Sequence, residues 1–328
     1  MKAVILVLTA TAAIGSANLF AGQQEDALEW LEKAASAARK LDYHGTFVYQ
    51  HGSQVDTSRV FHLSDAAGDH ARLVALDGPP REIVRNNDEI RCYYPETKTV
   101  KIERRTGRAS FPALVPEQIS RIGEYYRVKK GGMDRVAGYD CQLIFLKPKD
   151  SFRYGRVFCA ESKSGLLLKS KTINDKDQVM EQITFIEVHI GADIDRDMLE
   201  PSFSVAPGEW KIDRSAVSET VGGTEWGVQS PPPGFKKIQE MKRNVEGKTA
   251  PVSHLVFSDG LAAVSVFVEP LASSTIAAPG VSQQGAINIY TRSVGEDYRA
   301  TVLGEAPPVT VMQIGNSLTH TGKSASRP

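Results

Sequence analysis

Apolar and polar positions follow two periods along this chain, and the change between them outlines the fold. Residues 24 to 41 carry Leu28, Leu31, Ala35, Ala38 and Leu41 at helical spacing, with Glu25 and Asp26 at the start and Arg39 and Lys40 at the end. That charge order suits a helix dipole, so a helix is predicted here. Beyond it the period falls to two. Alternating runs at His44–His51, Thr57–Leu63, His70–Leu76, Arg81–Arg85, Glu89–Tyr94 and Lys98–Glu103 are separated by Gly, Asp, Asn and Pro turns. They predict one antiparallel meander. A helix is expected over Ala113–Tyr125, where Leu114, Ile119 and Ile122 share a face, and strands resume at Tyr139–Lys147, Arg153–Glu161, Leu166–Ile173 and Gln178–Ile190.

A twisted sheet of that many strands curls, because curling reduces exposed edges. With one or two helices to cover it, the concave face becomes an apolar trough. Phe47, Tyr49, Ile90, Leu114, Ile119 and Ile122 are the candidates to line it. The competing reading is that these side chains close a solid core, as most alternating apolar positions do.

The pattern breaks near Asp195–Pro201, and Ser215–Pro233 is rich in Gly, Ser, Thr and Pro. Residues 22–203 are therefore read as one domain, 204–225 as a linker and 226–320 as a second, small α+β domain. The second domain holds a predicted hairpin, Val252–Phe257 with Leu261–Val268, turned at Ser258-Asp259-Gly260. Strands at Ala286–Arg292 and Tyr298–Leu303 follow, then a helix from Pro308 to Leu318, where Pro suits a helix start. The polar end, 321–328, is expected to fray. The fold class is α+β: a large curled antiparallel half-barrel with covering helices, plus the small domain.

The N-terminus changes the picture. Lys2 precedes an apolar run through Ile14 that is too short to span a bilayer, so residues 1–21 read as a secretory signal peptide. Cleavage after Ala21 is favoured, with Gly15-Ser16-Ala17 as the other candidate site. Export makes oxidation of Cys92, Cys141 and Cys159 relevant. A turn near Asp150 brings Cys141 opposite Cys159, within reach of a disulfide, although two buried thiols fit the same pattern.

Composition mainly excludes. Lys+Arg and Asp+Glu number 39 each, which disfavours a nucleic-acid binder. At 41% hydrophobic and 24% charged residues the chain is not disordered. No nucleophile elbow, zincin helix, phosphate loop or dinucleotide fingerprint is present, so no catalytic residue, metal ligand or cofactor is assigned. Charge is uneven, however: residues 98 to 130 hold nine basic and three acidic side chains. Arg104, Arg105 and Arg108 are thus candidates for an anionic head group, against the alternative of a solvated basic edge. Trp226 and Phe235 are candidates for partner contact, as large aromatics favour interface centres.

Several runs carry a family resemblance. Leu76-Asp77-Gly78-Pro79-Pro80-Arg81-Glu82-Ile83-Val84-Arg85 and Glu89-Ile90-Arg91-Cys92-Tyr93-Tyr94-Pro95 resemble the RseB/MucB family of periplasmic sigma-E regulators. Gly138-Tyr139-Asp140-Cys141, Ser164-Gly165-Leu166 and Gln182-Ile183-Thr184-Phe185 fit the same pattern, as do Pro233-Gly234-Phe235, Phe257-Ser258-Asp259-Gly260-Leu261 and Gly304-Glu305-Ala306-Pro307. The resemblance implies a periplasmic protein whose large domain is similar to the lipoprotein carriers LolA and LolB. It implies binding to the periplasmic region of a membrane anti-sigma factor of the RseA/MucA type, shielding it from regulated proteolysis. Lipopolysaccharide or another amphiphile would release that partner. A lipid or lipoprotein carrier is the second reading, which the second domain disfavours, and the sequence leaves room for a homo-oligomer.

Overall fold

A computed structural model describes residues 14–104, 111–116, 119–206, 208–214, 223–243, 250–271 and 279–321. Helix α1 (Ile14–Lys40) leads into β1 (Tyr43–His51), β2 (Gln54–Asp65), β3 (Gly68–Ala75), β4 (Glu82–Asn86), β5 (Glu89–Tyr94) and β6 (Thr99–Arg104). After a crossing segment come α2 (Ile122–Tyr125), β7 (Tyr126–Val136), β8 (Tyr139–Pro148), β9 (Gly155–Glu161), β10 (Leu167–Ile173), β11 (Val179–Ile190) and β12 (Lys211–Asp213). These strands make one open 12-stranded sheet in the order β12-β6-β5-β4-β3-β2-β1-β11-β10-β9-β8-β7. The return of β11 onto β1 joins the two meanders, with Tyr43 opposite Ile190 and Phe47 opposite Phe185. The sheet curls without closing into a barrel.

The two halves of the concave face are filled differently. Over β7 to β10, helix α1 lays down Ala27, Leu31, Ala34, Ala35 and Ala38, all buried against Ile144, Leu146, Phe158 and Leu168. Alanines on that face let the helix approach the sheet closely. Over β1 to β5 helix α1 gives little cover, touching β2 and placing Ala38 on the wall, and the inward positions include Ser58, Ala71 and Ala75, too small to meet across the curl. A cluster of Phe47, Phe111 and Phe185, with ring centroids 5.0 to 5.9 Å apart, divides the packed half from the open one.

Three expectations change here. The helix expected over Ala113–Tyr125 is a 3-10 turn at Ile119–Arg121 followed by the single turn of α2. Pro112 and Pro116 lack the amide hydrogens a longer helix needs. Tyr126–Val136, left unassigned by the alternation reading, is the edge strand β7, with a register shift between Lys130 and Met133 that blurs its period. The segment expected as a linker is partly structured: Phe203, Val205 and Trp210 pack against Val84, Tyr93, Val100 and Ile102, and β12 pairs in parallel with β6.

The second sheet has the order β14-β15-β16-β19-β18-β17. Its strands are β14 (Lys236–Arg243), β15 (Val252–Ser258), β16 (Ala263–Pro270), β17 (Gly280–Gln284), β18 (Ile287–Val294) and β19 (Tyr298–Gly304). Helix α3 (Pro308–Asn316) buries Val311 and Ile314 on one face with Leu255, Val264, Val266, Ala300 and Val302. A two-stranded ribbon pairs β13 (Trp226–Val228) with β20 (Leu318–His320). Of the end expected to fray, 321–328, only Thr321 lies within the described residues, its N–H donating to Glu225 O.

Cys141 and Cys159 are joined as a disulfide. The pairing is diagonal rather than direct, because Cys141 faces Glu161 and Cys159 faces Leu143 across β8 and β9. The bridge closes a sequence separation of 18 residues. Loop-closure entropy for that length predicts a loss of about 3 kcal/mol in the Cys141→Ala/Cys159→Ala variant, read as a lower urea midpoint with a slope that rises as the unfolded state expands.

Candidate functional site

The open half of the concave face is a cavity of about 900 Å³. Strand alternation selects its walls. Phe47 and Tyr49 of β1, Val60 of β2, Leu73 of β3, Ile83 of β4 and Ile90 of β5 all point inward, and Phe111 and Leu114 of the crossing segment close one side. Four of the six predicted lining residues, Phe47, Tyr49, Ile90 and Leu114, therefore meet in one space. Ile119 and Ile122 do not: both are buried in the packed half with α1.

One end of the cavity is plugged. His62 stacks on Tyr43 at 4.7 Å, holds Leu41 O through Nδ1 at 2.8 Å and Asp69 Oδ1 through Nε2 at 2.8 Å. Arg85 reaches the same Asp69 oxygen at 2.6 Å. Both ring nitrogens of His62 are thus engaged, and the group has a structural task. Among the described residues, no three His, Cys, Asp or Glu side chains gather as a metal site.

The other end is polar and is shared with the second domain. Arg156 of β9 hydrogen-bonds Thr172 Oγ1 of β10 and lies 3.4 Å from Glu181 Oε1 of β11 and 3.0 Å from Glu305 Oε2, just after β19. Thr172 donates to Glu181 at 2.7 Å, and the Tyr49 hydroxyl donates to its other oxygen at 2.9 Å. Burial and the neighbouring Glu181 carboxylate push the Tyr49 phenol upward, so it stays a donor. Burial opposes the Arg156 charge, but Glu305 and Glu181 outweigh it and hold the group above its ordinary pKa. Asp56, Asp77 and Arg81 also line the cavity, Asp77 anchored by Thr57 N–H at 2.8 Å.

Of the predicted head-group arginines, Arg104 does not contribute to these walls. Arg104 ends β6 exposed; Glu103 lines the cavity, so alternation turns Arg104 away from it. Arg105 and Arg108 lie outside the described residues. Among the described residues, the cations that line the cavity are Arg72, Arg81, Arg85 and Arg156. Arg72 pairs with Glu82 at 3.0 Å.

Sequence reasoning also missed how the domains meet. Among the described residues, the run Asp150–Arg156 carries most of the polar contacts of the joint, beside the Tyr126–Asp259 and Gln54–Gln284 hydrogen bonds. Arg153, with a fully buried side chain, lies 3.0 Å from the equally buried Asp259 and 2.8 Å from Asp150, and donates to Pro233 O. Its guanidinium sits 4.6 Å from the Tyr125 ring and 5.4 Å from that of Phe235. Tyr154 accepts from Asn288 Nδ2 at 2.9 Å, and Thr310 donates to Phe152 O at 2.6 Å. The strand expected from Arg153 thus begins at Gly155, since the preceding residues are engaged by the second domain. The signal available in the sequence was the group of second-domain motifs. Pro233-Gly234-Phe235, Asp259 within Phe257–Leu261, and Glu305 within Gly304–Pro307 each supply a contact to this run. Gly234 has φ +86°, and a Cβ there would stand 2.7 Å from the Tyr125 ring.

Trp226 and Phe235, expected at a partner interface, are 5% and 3% exposed in the second domain's core. Their aromatic surface is spent on packing and on Arg153.

Cys92 faces the cavity as a free thiol. Burial first, then the Glu103 charge, pushes its pKa up to about 11. At pH 8 alkylation by iodoacetamide should run roughly a hundredfold slower than for an ordinary thiol, through the smaller thiolate fraction, and accelerate as pH rises towards 10. A cavity occupant should slow it further, read by mass spectrometry.

Among the described residues no helix is long and apolar enough to cross a membrane. Comparison with known proteins places this architecture. Residues 26–203 match the MucB/RseB N-terminal domain model and residues 220–319 the MucB/RseB C-terminal domain model. The sigma factor AlgU regulatory protein MucB of Pseudomonas aeruginosa is 28% identical over 302 residues, covering 91% of this chain and 92% of that protein. The sigma-E factor regulatory protein RseB of Escherichia coli K12 is 25% identical over 311 residues, covering 92% and 93%. A solved structure of the Pseudomonas aeruginosa MucA/MucB complex superposes with TM-score 0.71 at 28% identity, covering 90% of this chain and 99% of the matched one. With both of its domains matched in order, the chain belongs to the MucB/RseB family.

Proposed function

We propose that this protein is an exported, periplasmic negative regulator of an envelope-stress sigma factor, with residues 1–21 removed on export. It binds the periplasmic region of a membrane anti-sigma factor, a reading supported by the solved complexes of the relative MucB with MucA, and shields that region from regulated proteolysis. An amphiphile, with lipopolysaccharide as the leading candidate, enters the large domain and releases the partner. The observation that carries this reading is the apolar cavity of about 900 Å³ in a member of this regulator family, with Glu305 of the second domain in its wall. A pocket of that size and lining accommodates acyl chains. The release step requires that the amphiphile prefer the conformation with poor partner affinity, since equal affinity for both shifts nothing.

The test is a titration of the mature chain with the anti-sigma factor's periplasmic segment, with and without lipopolysaccharide. Lipopolysaccharide is expected to weaken the complex and to expose the segment to protease. Unchanged affinity at saturating amphiphile overturns the release step.

A further inference from the structure

We infer that Arg156 is the point at which an anionic group carried into the cavity competes with Glu305 and so loosens the docking of the second domain. This rests on the cavity being an amphiphile site and names how its occupancy is sensed. The cavity has direction: its plugged end is at Tyr43 and His62, its polar end at Tyr49, Glu181, Arg156 and Glu305. An acyl chain is best solvated along Phe47, Val60, Leu73 and Ile83, which leaves its head group at the polar end. There the buried guanidinium of Arg156 already serves two carboxylates from two domains.

Those carboxylates differ. Glu181 is held by Thr172 and Tyr49, and its side chain is 10% exposed. Glu305 is 31% exposed and comes from the other domain, so it is the partner an incoming phosphate or carboxylate displaces. Glu305 is also tied to the joint through its neighbour, since Ala306 O accepts from the Asn288 amide that donates to Tyr154. Displacing Glu305 therefore loosens the contact beside the Tyr154–Asn288 bond, while Arg153–Asp259 still holds the domains together.

The experiment uses the full mature chain and hydrogen–deuterium exchange of the amides around 152–156 and 302–308. The probes are dodecyl phosphate, dodecyl maltoside with the same chain and no charge, and inorganic phosphate alone. Dodecyl phosphate is expected to raise exchange in both segments, whereas dodecyl maltoside binds without doing so and inorganic phosphate does neither. In the Glu305→Gln variant the same segments should exchange faster without any probe. That variant should bind dodecyl phosphate about fivefold tighter, the scale of a partly exposed ion pair, and dodecyl maltoside equally. Equal effects of the two detergents, or unchanged behaviour of Glu305→Gln, overturn the coupling and leave the cavity as a binding site. A full effect from inorganic phosphate overturns the role of the acyl chain. If neither detergent binds, the amphiphile site itself falls, and the coupling with it.

Discussion

Replacing Ala75 with Trp should weaken binding of a twelve-carbon amphiphile by roughly fifteenfold while leaving the fold intact. Ala75 lies at the end of β3, facing Ser58 of β2 across the ladder, and both line the open half of the concave face. Neither is buried, so a larger side chain enters space that is empty rather than a packed core, and the usual cost of overpacking does not apply in full. An indole there shortens the path available to an acyl chain by at least two methylenes. At about 0.8 kcal/mol for each buried methylene, that is about 1.6 kcal/mol, which gives the stated factor. Isothermal titration with dodecyl maltoside measures it, and Ser58→Phe is the independent second variant. Wild-type affinity in both, with native thermal unfolding, would show that the amphiphile sits elsewhere.

The same small side chains explain how much of the site the sequence carried. Period-two alternation located β1 to β5 and put Phe47, Tyr49 and Ile90 on one face, because one-sided burial writes that pattern directly into each strand. Leu114 was found for a weaker reason, since the helix used to place it breaks at Pro116. Ile119 and Ile122 look identical to it in the sequence, yet they fall under α1. Which half of a curled face is filled depends on where a helix lies, and that is a tertiary fact. Strand β7 was overlooked where Lys129-Lys130-Gly131-Gly132 and its register shift interrupt the alternation. The arginines expected at the head group were chosen from their density in sequence. The cation at the cavity's polar end, Arg156, stands between two carboxylates distant along the chain, at positions 181 and 305. Such a network has no local signature, although the second-domain runs that carry the family resemblance contain its other half.

Arg153 gives the largest expected effect on stability. Its side chain and that of Asp259 are both fully buried, 3.0 Å apart, and they join the two domains. Removing one member of such a pair strands the other charge away from water, which costs about 3–5 kcal/mol. Asp259 would keep the Leu261 and Ala262 amides at 2.9 and 2.8 Å and the Tyr126 hydroxyl at 3.1 Å, so its turn and one polar contact across the joint survive while the joint's buried ion pair does not. Arg153→Met is therefore expected to lower stability by about that amount and to split urea unfolding into two transitions. Tryptophan fluorescence resolves them, since Trp226 belongs to the second domain's core and Trp30 packs against the first. Adding Asp259→Asn removes the stranded charge and should recover part of the loss. A single transition at the wild-type midpoint in Arg153→Met would mean that the apolar contacts of Phe152 and Leu261, each reaching into the other domain's core, suffice to hold the domains as one cooperative unit.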